Sequence, residues 1–310
     1  MRKTAEIVVV GGGIMGLSIA YNLALRGVRD VVVVDRSYLC GGASGRNGGG
    51  VRAQWSSAQN VQLMRQSIKI CSDFASKMKI NVWFRQGGYL FIARSEDKRL
   101  ALEASAKLQR ENGLRTEVLT AREVTKIVPE LDVDGAHGGK SILSATFNPD
   151  DGVVFPWPFV WGYAQAAAKH GVEIHTHTTV LGFDLAHDGQ SKRRIRAVET
   201  NKGVIATGMV INAAGAWSPE VARLAGVELP NHPHRHEICS SEPLKPWLRP
   251  LVADLDSGLY FSQSMRGEIV GGISNDRVPD GINQESSARF LGLYSRALTE
   301  LVPTLGAVKI

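Results

Sequence analysis

Residues 7–35 read IVVVGGGIMGLSIAYNLALRGVRDVVVVD, and the fold turns on this stretch. Ile7–Val10 is an unbroken β-branched run, the pattern of a strand buried on both faces. A GxGxxG follows at Gly11, Gly13 and Gly16, then a helical pattern with Leu17, Ala20, Tyr21, Leu23 and Ala24 apolar and Gly27 as the stop. Val31–Val34 predicts a second strand, closed by Asp35 about 20 residues beyond the last motif glycine, which is the spacing of a dinucleotide-binding βαβ unit. Gly11 permits the tight turn, Gly13 lets a diphosphate approach the backbone, and Gly16 lets helix and strand pack closely. The helix N-terminus offers unpaired N–H groups and a partial positive charge to phosphate. Asp35 can accept hydrogen bonds from ribose hydroxyls and disfavours a 2′-phosphate, which argues against NADP. The unit alone does not separate FAD from NAD.

Composition bounds what surrounds this unit. The 310 residues allow about two domains. A 44% hydrophobic, 21% charged chain is globular rather than disordered, and its 33 glycines have no collagen period. No apolar run approaches the roughly 20 residues of a membrane span, and MRKTAEIVVV has no signal-peptide core, so a cytoplasmic protein is expected. Cys40, Cys71 and Cys239 form no CxxC pair, which agrees with that compartment and suggests neither a disulfide framework nor a zinc ribbon. Lys+Arg exceeds Asp+Glu by 36 to 30. The densest basic run, Lys192, Arg193, Arg194 and Arg196, follows the turn signal His187-Asp188-Gly189, so it reads as a solvated hairpin tip rather than a nucleic-acid surface.

After Asp35 the chain does not continue with further βα units, as a simple NAD dehydrogenase would. It enters a loop of small residues, Cys40-Gly41-Gly42-Ala43-Ser44-Gly45-Arg46-Asn47-Gly48-Gly49-Gly50, which can lie close against an extended ligand. Helices are predicted over Ser57–Lys77, Glu96–Asn112 and Trp157–Lys169, and strands over Tyr89–Ala93, Val172–His177 and Val180–Ala186. Ile195–Thr200 with Val204–Thr207 reads as a hairpin. Met209–Ala213 reads as a strand running into Ala214-Gly215-Ala216-Trp217, with Ser218 capping a helix to Ala225.

The ordered set GGGIMG, VVVVD, GGASGRNGG, DDGVVFP, THTTV and INAAGAWS resembles the D-amino-acid oxidase/sarcosine oxidase superfamily of FAD-dependent amine oxidoreductases. VWGYAQAA, SSEPLKP and YFSQSMRGEIV look most like the β subunits of heterotetrameric sarcosine oxidase and of related proline and hydroxyproline dehydrogenases. The resemblance implies a mixed α/β chain: a Rossmann-like FAD domain of glutathione-reductase type over 1–82 and 148–218, interleaved with an antiparallel-sheet substrate domain over 83–147 and 219–310. It also implies noncovalent FAD held by Gly11, Gly13, Gly16, Asp35, Ser44, Arg46, Asn47, Val180, Ala214 and Gly215.

The implied chemistry removes a hydride equivalent from a C–H next to nitrogen and leaves an imine. The substrate class is a small amino acid, sarcosine-like, proline-like or of D configuration. Its carboxylate needs a cation, and a guanidinium fork matches two oxygens. Arg52 stands where the family places a carboxylate-binding arginine. Tyr260 matches a strand that aims a tyrosine at the substrate, and alternation puts Tyr260 and Ser262 on one face.

Three features depart from the family pattern. Pro156 occupies the place of the histidine that carries a second flavin, so FMN, if bound, is not histidyl-linked there. The stretch Glu268-Ile269-Val270-Gly271-Gly272 lacks the oxygen-activating lysine of monomeric sarcosine oxidases, which leans toward a dehydrogenase. Leu305–Ile310 reads as a new strand where family members continue, so the chain is read as C-terminally incomplete. His232, His234 and His236 alternate as metal ligands could, but Pro230 and Pro233 disturb a strand there and no carboxylate or thiol joins them, so no metal is expected. Two rivals remain at this level: an NAD-dependent dehydrogenase, and a non-catalytic flavin-binding subunit that assembles with an α-type partner.

Overall fold

The computed structural model describes residues 1–187, 193–275 and 277–310. Its organising element is a four-stranded parallel sheet in the order Val210–Asn212, Ile7–Val10, Val31–Val34, Glu173–His175. Val8, Val9 and all of Val31–Val34 have no exposed surface, as strands covered on both faces require. The helix Ile14–Leu25 packs on one face together with Trp157–Lys169 and Ala58–Met78 through Leu17, Ala20, Phe74, Val160 and Ala167. Ile7–Val10 has Val31–Val34 on one side and Val210–Asn212 on the other, so the order reverses at the carboxyl end of the first strand. In open parallel sheets a ligand crevice forms at that reversal.

A seven-stranded sheet forms the second layer, in the order Ile238–Pro243, Glu268–Ile273, Leu259–Gln263, Leu251–Asp254, Tyr89–Ala93, Ser144–Asn148, Glu117–Leu119. Every pairing is antiparallel except Leu251–Asp254 with Tyr89–Ala93. Period-two alternation divides its side chains. Leu90, Ile92, Val252, Leu259 and Phe261 pack on the helices Ala121–Ile127 and Ala288–Leu301, while Tyr89, Phe91, Leu251, Ala253 and Tyr260 share the other face. Ala288–Leu301 presents Phe290, Tyr294, Leu298 and Leu301 to the core, and its cap residue Ser287 accepts from the Phe290 N–H at 3.2 Å. A three-stranded antiparallel sheet of Val180–His187, Arg193–Thr200 and Gly203–Ala206 completes the fold. The tip read from His187-Asp188-Gly189 lies, at 188–192, outside the described residues.

Two local readings need correction. Trp217, not Ser218, occupies the cap position of the Ser218–Leu224 helix, because a 3₁₀ turn over Gly215–Trp217 carries the chain straight into it. The stretch from Leu305 is not a strand at its start. Pro303–Ala307 is a 3₁₀ turn on the end of Ala288–Leu301, since Pro303 suits a first helical turn. Only beyond it does the backbone extend, with Lys309 O accepting from Glu242 N–H at 2.9 Å.

The tightest packing in the parallel layer is at Gly16, where a Cβ would lie 1.9 Å from the Gly11 carbonyl oxygen. Gly16→Ala is expected to lower stability by about 1–3 kcal/mol through forced backbone displacement. Gly208→Ala, with open space around it, should stay within about 0.5 kcal/mol of the parent. Urea unfolding of the two variants checks the contrast, and equal losses would refute it.

Candidate active site and cofactor cleft

The reversal point of the parallel sheet opens into a cleft of about 660 Å³ lined by Gly11, Gly13, Asp35, Ser44, Arg46, Val180, Ala214 and Gly215, among others. That volume is in the range of cofactor sites. Gly11 adopts φ +119, and a Cβ there would fall 2.3 Å from Ala213 O, so only glycine lets the first strand turn beside the strand on its other flank. Asp35 Oδ2 accepts from the Gly12 N–H at 2.6 Å, and Oδ1 accepts from the Ser37 N–H at 2.7 Å. Each oxygen keeps lone-pair capacity for a hydroxyl from the cleft. Ser44 Oγ accepts from the Ile14 N–H at 3.0 Å, which brings the small-residue loop onto the helix N-terminus.

Two expected residues act from behind the wall. Gly16 lies within the Ile14–Leu25 helix, on its buried face against Gly11. Asn47 braces the loop: its Nδ2 donates to Ala43 O and Ser44 O at 2.9 and 3.0 Å, and its Oδ1 accepts from the Gly49 N–H at 2.9 Å. The cleft also holds a contact that the motifs do not announce. The Arg36 guanidinium stacks 4.0 Å from the Trp217 ring centroid, and a Cβ on Gly42 would meet Trp217 at 3.5 Å. The indole therefore touches both banks of the cleft.

The small-residue loop continues from this cleft to a second group of side chains. A Cβ on Gly48 would lie 3.2 Å from Tyr260 Cε2, and one on Gly50 would lie 3.3 Å from Tyr89 Cε2. Gly50–Val51 pairs with Gly152–Val153, which fixes the loop and delivers Arg52 beside the aromatic face of the large sheet. The Arg52 guanidinium lies 3.9 Å from the Trp55 ring, 5.0 Å from Phe91 and 5.9 Å from Tyr89, and its Nη1 donates to Gln54 O. Burial lowers its pKa, yet a guanidinium stays cationic at any working pH. Partly desolvated cation–π contacts of this kind are worth up to about 2 kcal/mol. They hold the cation without consuming the N–H groups a carboxylate needs.

Tyr260 is half-buried on the same face. Burial, and then the neighbouring Tyr89, raise its pKa, so its phenol stays protonated. His236 is open at its outer edge, but its ring stacks on Tyr260 at 5.6 Å and 17°. Desolvation of that face lowers the His236 pKa, which keeps the imidazole neutral at pH 7. His234 instead pairs with Asp280 at 3.0 Å, and no group able to hold a metal ion occurs among the described residues. Below Arg52, Asp151 is fully buried, and desolvation pushes its pKa up to about 6.

The arrangement brings Arg52 and Tyr260 to one wall, at the far end of the loop whose near end lines the cleft. Trp55, Tyr89, Phe91 and Asp151 join them without having been singled out as site residues, and His236, weighed from sequence only as a metal ligand, joins them through its stack on Tyr260. Tyr89 and Phe91 read only as strand positions, and Asp151 only as part of DDGVVFP. Pro156 sits at the cap of the Trp157–Lys169 helix, and Trp157 Nε1 donates to Gly45 O at 3.1 Å, so the Trp157 indole serves packing of the loop.

The family model described as FAD dependent oxidoreductase, DAO, matches residues 6–310. The sarcosine oxidase subunit beta of Rhodobacter capsulatus is 28% identical over 311 residues, spanning 100% of this chain and 73% of the relative. The crystal structure of L-proline dehydrogenase from P. horikoshii superposes with a TM-score of 0.91 at 30% identity, covering 100% of this chain and 80% of that one. Glycine oxidase from Geobacillus kaustophilus shares the fold with a TM-score of 0.85 at 24% identity, over 99% and 80% of the two chains. No helix among the described residues is long and apolar enough to cross a membrane.

The glycine cradle, the helix N-terminus and the Asp35 carboxylate suit the diphosphate and ribose of FAD. Asp35→Ala removes the Gly12 anchor and the hydroxyl acceptor together. It is expected to weaken FAD binding by about 1.5–3 kcal/mol, roughly 10- to 150-fold. Titration of flavin fluorescence against apoprotein measures this, and an unchanged affinity would exclude Asp35 from the cofactor site.

Proposed function

Since the chain belongs to the DAO family of FAD dependent oxidoreductases, we propose that it oxidises the CH–NH bond of a small amino acid to an imine, with Arg52 holding the carboxylate. The observation that carries this reading is the placement of a caged, partly buried guanidinium on the same sheet face as Tyr260. A guanidinium whose planar face rests on aromatic rings keeps its edge for a two-oxygen acceptor. The names of its relatives, sarcosine oxidase subunit beta and L-proline dehydrogenase, support a secondary amino acid.

In this reading FAD, when bound, accepts the hydride equivalent. The chain's own residues do the rest. Gly11, Gly13, Ser44, Arg46, Val180, Ala214 and Gly215 hold the cofactor along the cleft, with Asn47 bracing the loop. Arg52 fixes the carboxylate end of the substrate and so orients the C–H bond. His236, neutral at pH 7, can accept the extra proton of a substrate ammonium, while the Tyr260 hydroxyl offers a donor and an acceptor beside it. The aromatic wall of Tyr89, Phe91 and Trp55 excludes water from the reacting end. The reading keeps a two-part division, 1–82 with 148–218 for the cofactor and 83–147 with 219–310 for the substrate. It keeps an α-type subunit as the partner to look for, FMN as a second flavin without a histidyl bond at Pro156, and a cytoplasmic site of action.

Absence of lysine from Glu268–Ile273 favours an acceptor other than oxygen. Peroxide yield in air compared with reduction of an artificial dye decides this, and stoichiometric peroxide would overturn it. Arg52→Ala is expected to weaken substrate use by about 1.5–3 kcal/mol, roughly 10- to 150-fold in kcat/KM. Bleaching of the flavin absorbance across a panel of secondary and D-amino acids measures this. Equal kcat and KM in the variant would remove Arg52 from the site. No bleaching by any amine would favour a flavin-binding subunit without catalysis.

A further inference from the structure

Asp151 has no exposed surface, yet it carries a carboxylate directly behind the Arg52 segment. Its Oδ1 accepts from the Ala53 N–H and from Asn148 Nδ2, both at 2.8 Å, and its Oδ2 accepts from Gln54 Nε2 at 3.2 Å. All three donors are neutral. The cation acting on it is Arg52, and the other ionisable group facing it is the Tyr89 phenol. Asp150 turns outward to Arg115. Arg85, which pairs across from Val153, sends its guanidinium to Gln263 O at 2.6 Å.

Two amide oxygens beside this carboxylate, Gln54 Oε1 and Asn148 Oδ1, are buried and accept nothing. Orphaned buried acceptors are costly, on the order of 1–3 kcal/mol each, and so are rare. Here they complement a different protonation state. A half-turn of the Asn148 amide would exchange its donor for its oxygen and receive a proton carried by Asp151. Among the described residues that turn gives up no other side-chain hydrogen bond of Asn148. The same turn of Gln54 would break its 2.8 Å bond to Tyr89 O, so Asn148 is the better receiver.

We propose that Asp151 is a positioning residue for Arg52 that gains proton occupancy from solvent when Arg52 engages the carboxylate of an anionic ligand. The inference rests on the assignment of Arg52 as the carboxylate anchor. In the free protein, the Arg52 charge offsets part of the cost of burying the Asp151 carboxylate. A ligand carboxylate on the guanidinium cancels that field and adds a second anion nearby, and protonation of Asp151 relieves both. The bond formed is Asp151 O–H, and no electrons are transferred. Burial holds the group near pH 6 in the free protein, and loss of the favourable Arg52 field can only raise it. Ligand binding must therefore strengthen as pH falls from 8 toward 6.

The test uses the FAD-loaded protein and propionate, whose own charge is constant above pH 6. Calorimetry in buffers of different ionisation enthalpy counts protons. For an upward shift of about one unit on binding, propionate should bind roughly fivefold more tightly at pH 6 than at pH 8, with about half a proton taken up at pH 6.5. Asp151→Asn keeps the shape and can still accept from Ala53, and it should bind propionate with a flat pH profile and no proton uptake. If that variant does not fold, the proton count of the parent protein decides alone. Propionate binding without proton uptake, or an unchanged pH profile in Asp151→Asn, overturns the proposal while leaving the Arg52 assignment intact. Failure of propionate to bind at all sinks both.

Discussion

Contact between Gly16 and the Gly11 carbonyl sets the depth at which the first helix lies on the parallel sheet. A single added carbon there would lift the helix, and with it the N–H groups of its first turn. Everything along the cleft is placed relative to that turn. Ser44 reaches the loop onto the Ile14 N–H, and Asp35 ties the Gly12 N–H to the end of the second strand. The reversal of strand order beside Ile7–Val10 opens a crevice between two crossovers at this end of the parallel sheet.

The small-residue loop is the mechanical link between the cleft and the aromatic wall around Arg52. It starts on the helix N-terminus, is stapled internally by Asn47, and ends in a two-residue pairing with Gly152–Val153. Its glycines are needed along its length, because a Cβ on Gly45 would fall 2.4 Å from Cys40 O, one on Gly48 3.2 Å from Tyr260 and one on Gly50 2.8 Å from Leu251. A loop with so few bulky side chains can thread between two layers and still bring Arg52, two residues beyond it, onto the aromatic face. Caging by Trp55 and Phe91 then restricts the guanidinium more than an isolated surface arginine would be, which lowers the entropy it would lose on engaging an anion.

Buried polar groups concentrate behind this wall. Asp151, Asn148 and Gln54 lie where an apolar core would be the cheaper solution. Their position joins the loop, the Tyr89–Ala93 strand and the Ser144–Asn148 strand, so the aromatic wall is held by directional bonds as well as by packing. Directional bonds fix a side chain to a fraction of an ångström, which apolar packing alone does not.

The nucleotide unit was legible from residues 7–35, because valine runs, glycine spacing and a terminal acid each carry a local physical meaning. The long loop and Arg52 were legible as a composition and a position. Local pattern misled where the next residues competed for the same backbone: Ser218 against the 3₁₀ turn before it, and Leu305–Ile310 against Pro303. The Arg36–Trp217 stack, the cage of Trp55, Tyr89 and Phe91, the His236–Tyr260 pair and the burial of Asp151 had no local signature. Except for Trp55 against Arg52, these contacts join residues far apart in the chain, and Asp150 and Asp151 share one turn between Ser144–Asn148 and Gly152–Val153, where only the fold turns Asp151 inward and Asp150 out to Arg115. Sequence alone determined that a dinucleotide-type cleft exists, since its geometry is built within one βαβ unit. Tertiary structure decided which side chains meet beside it, since that depends on how a second sheet, drawn from two separate stretches, presents one face to the glycine loop.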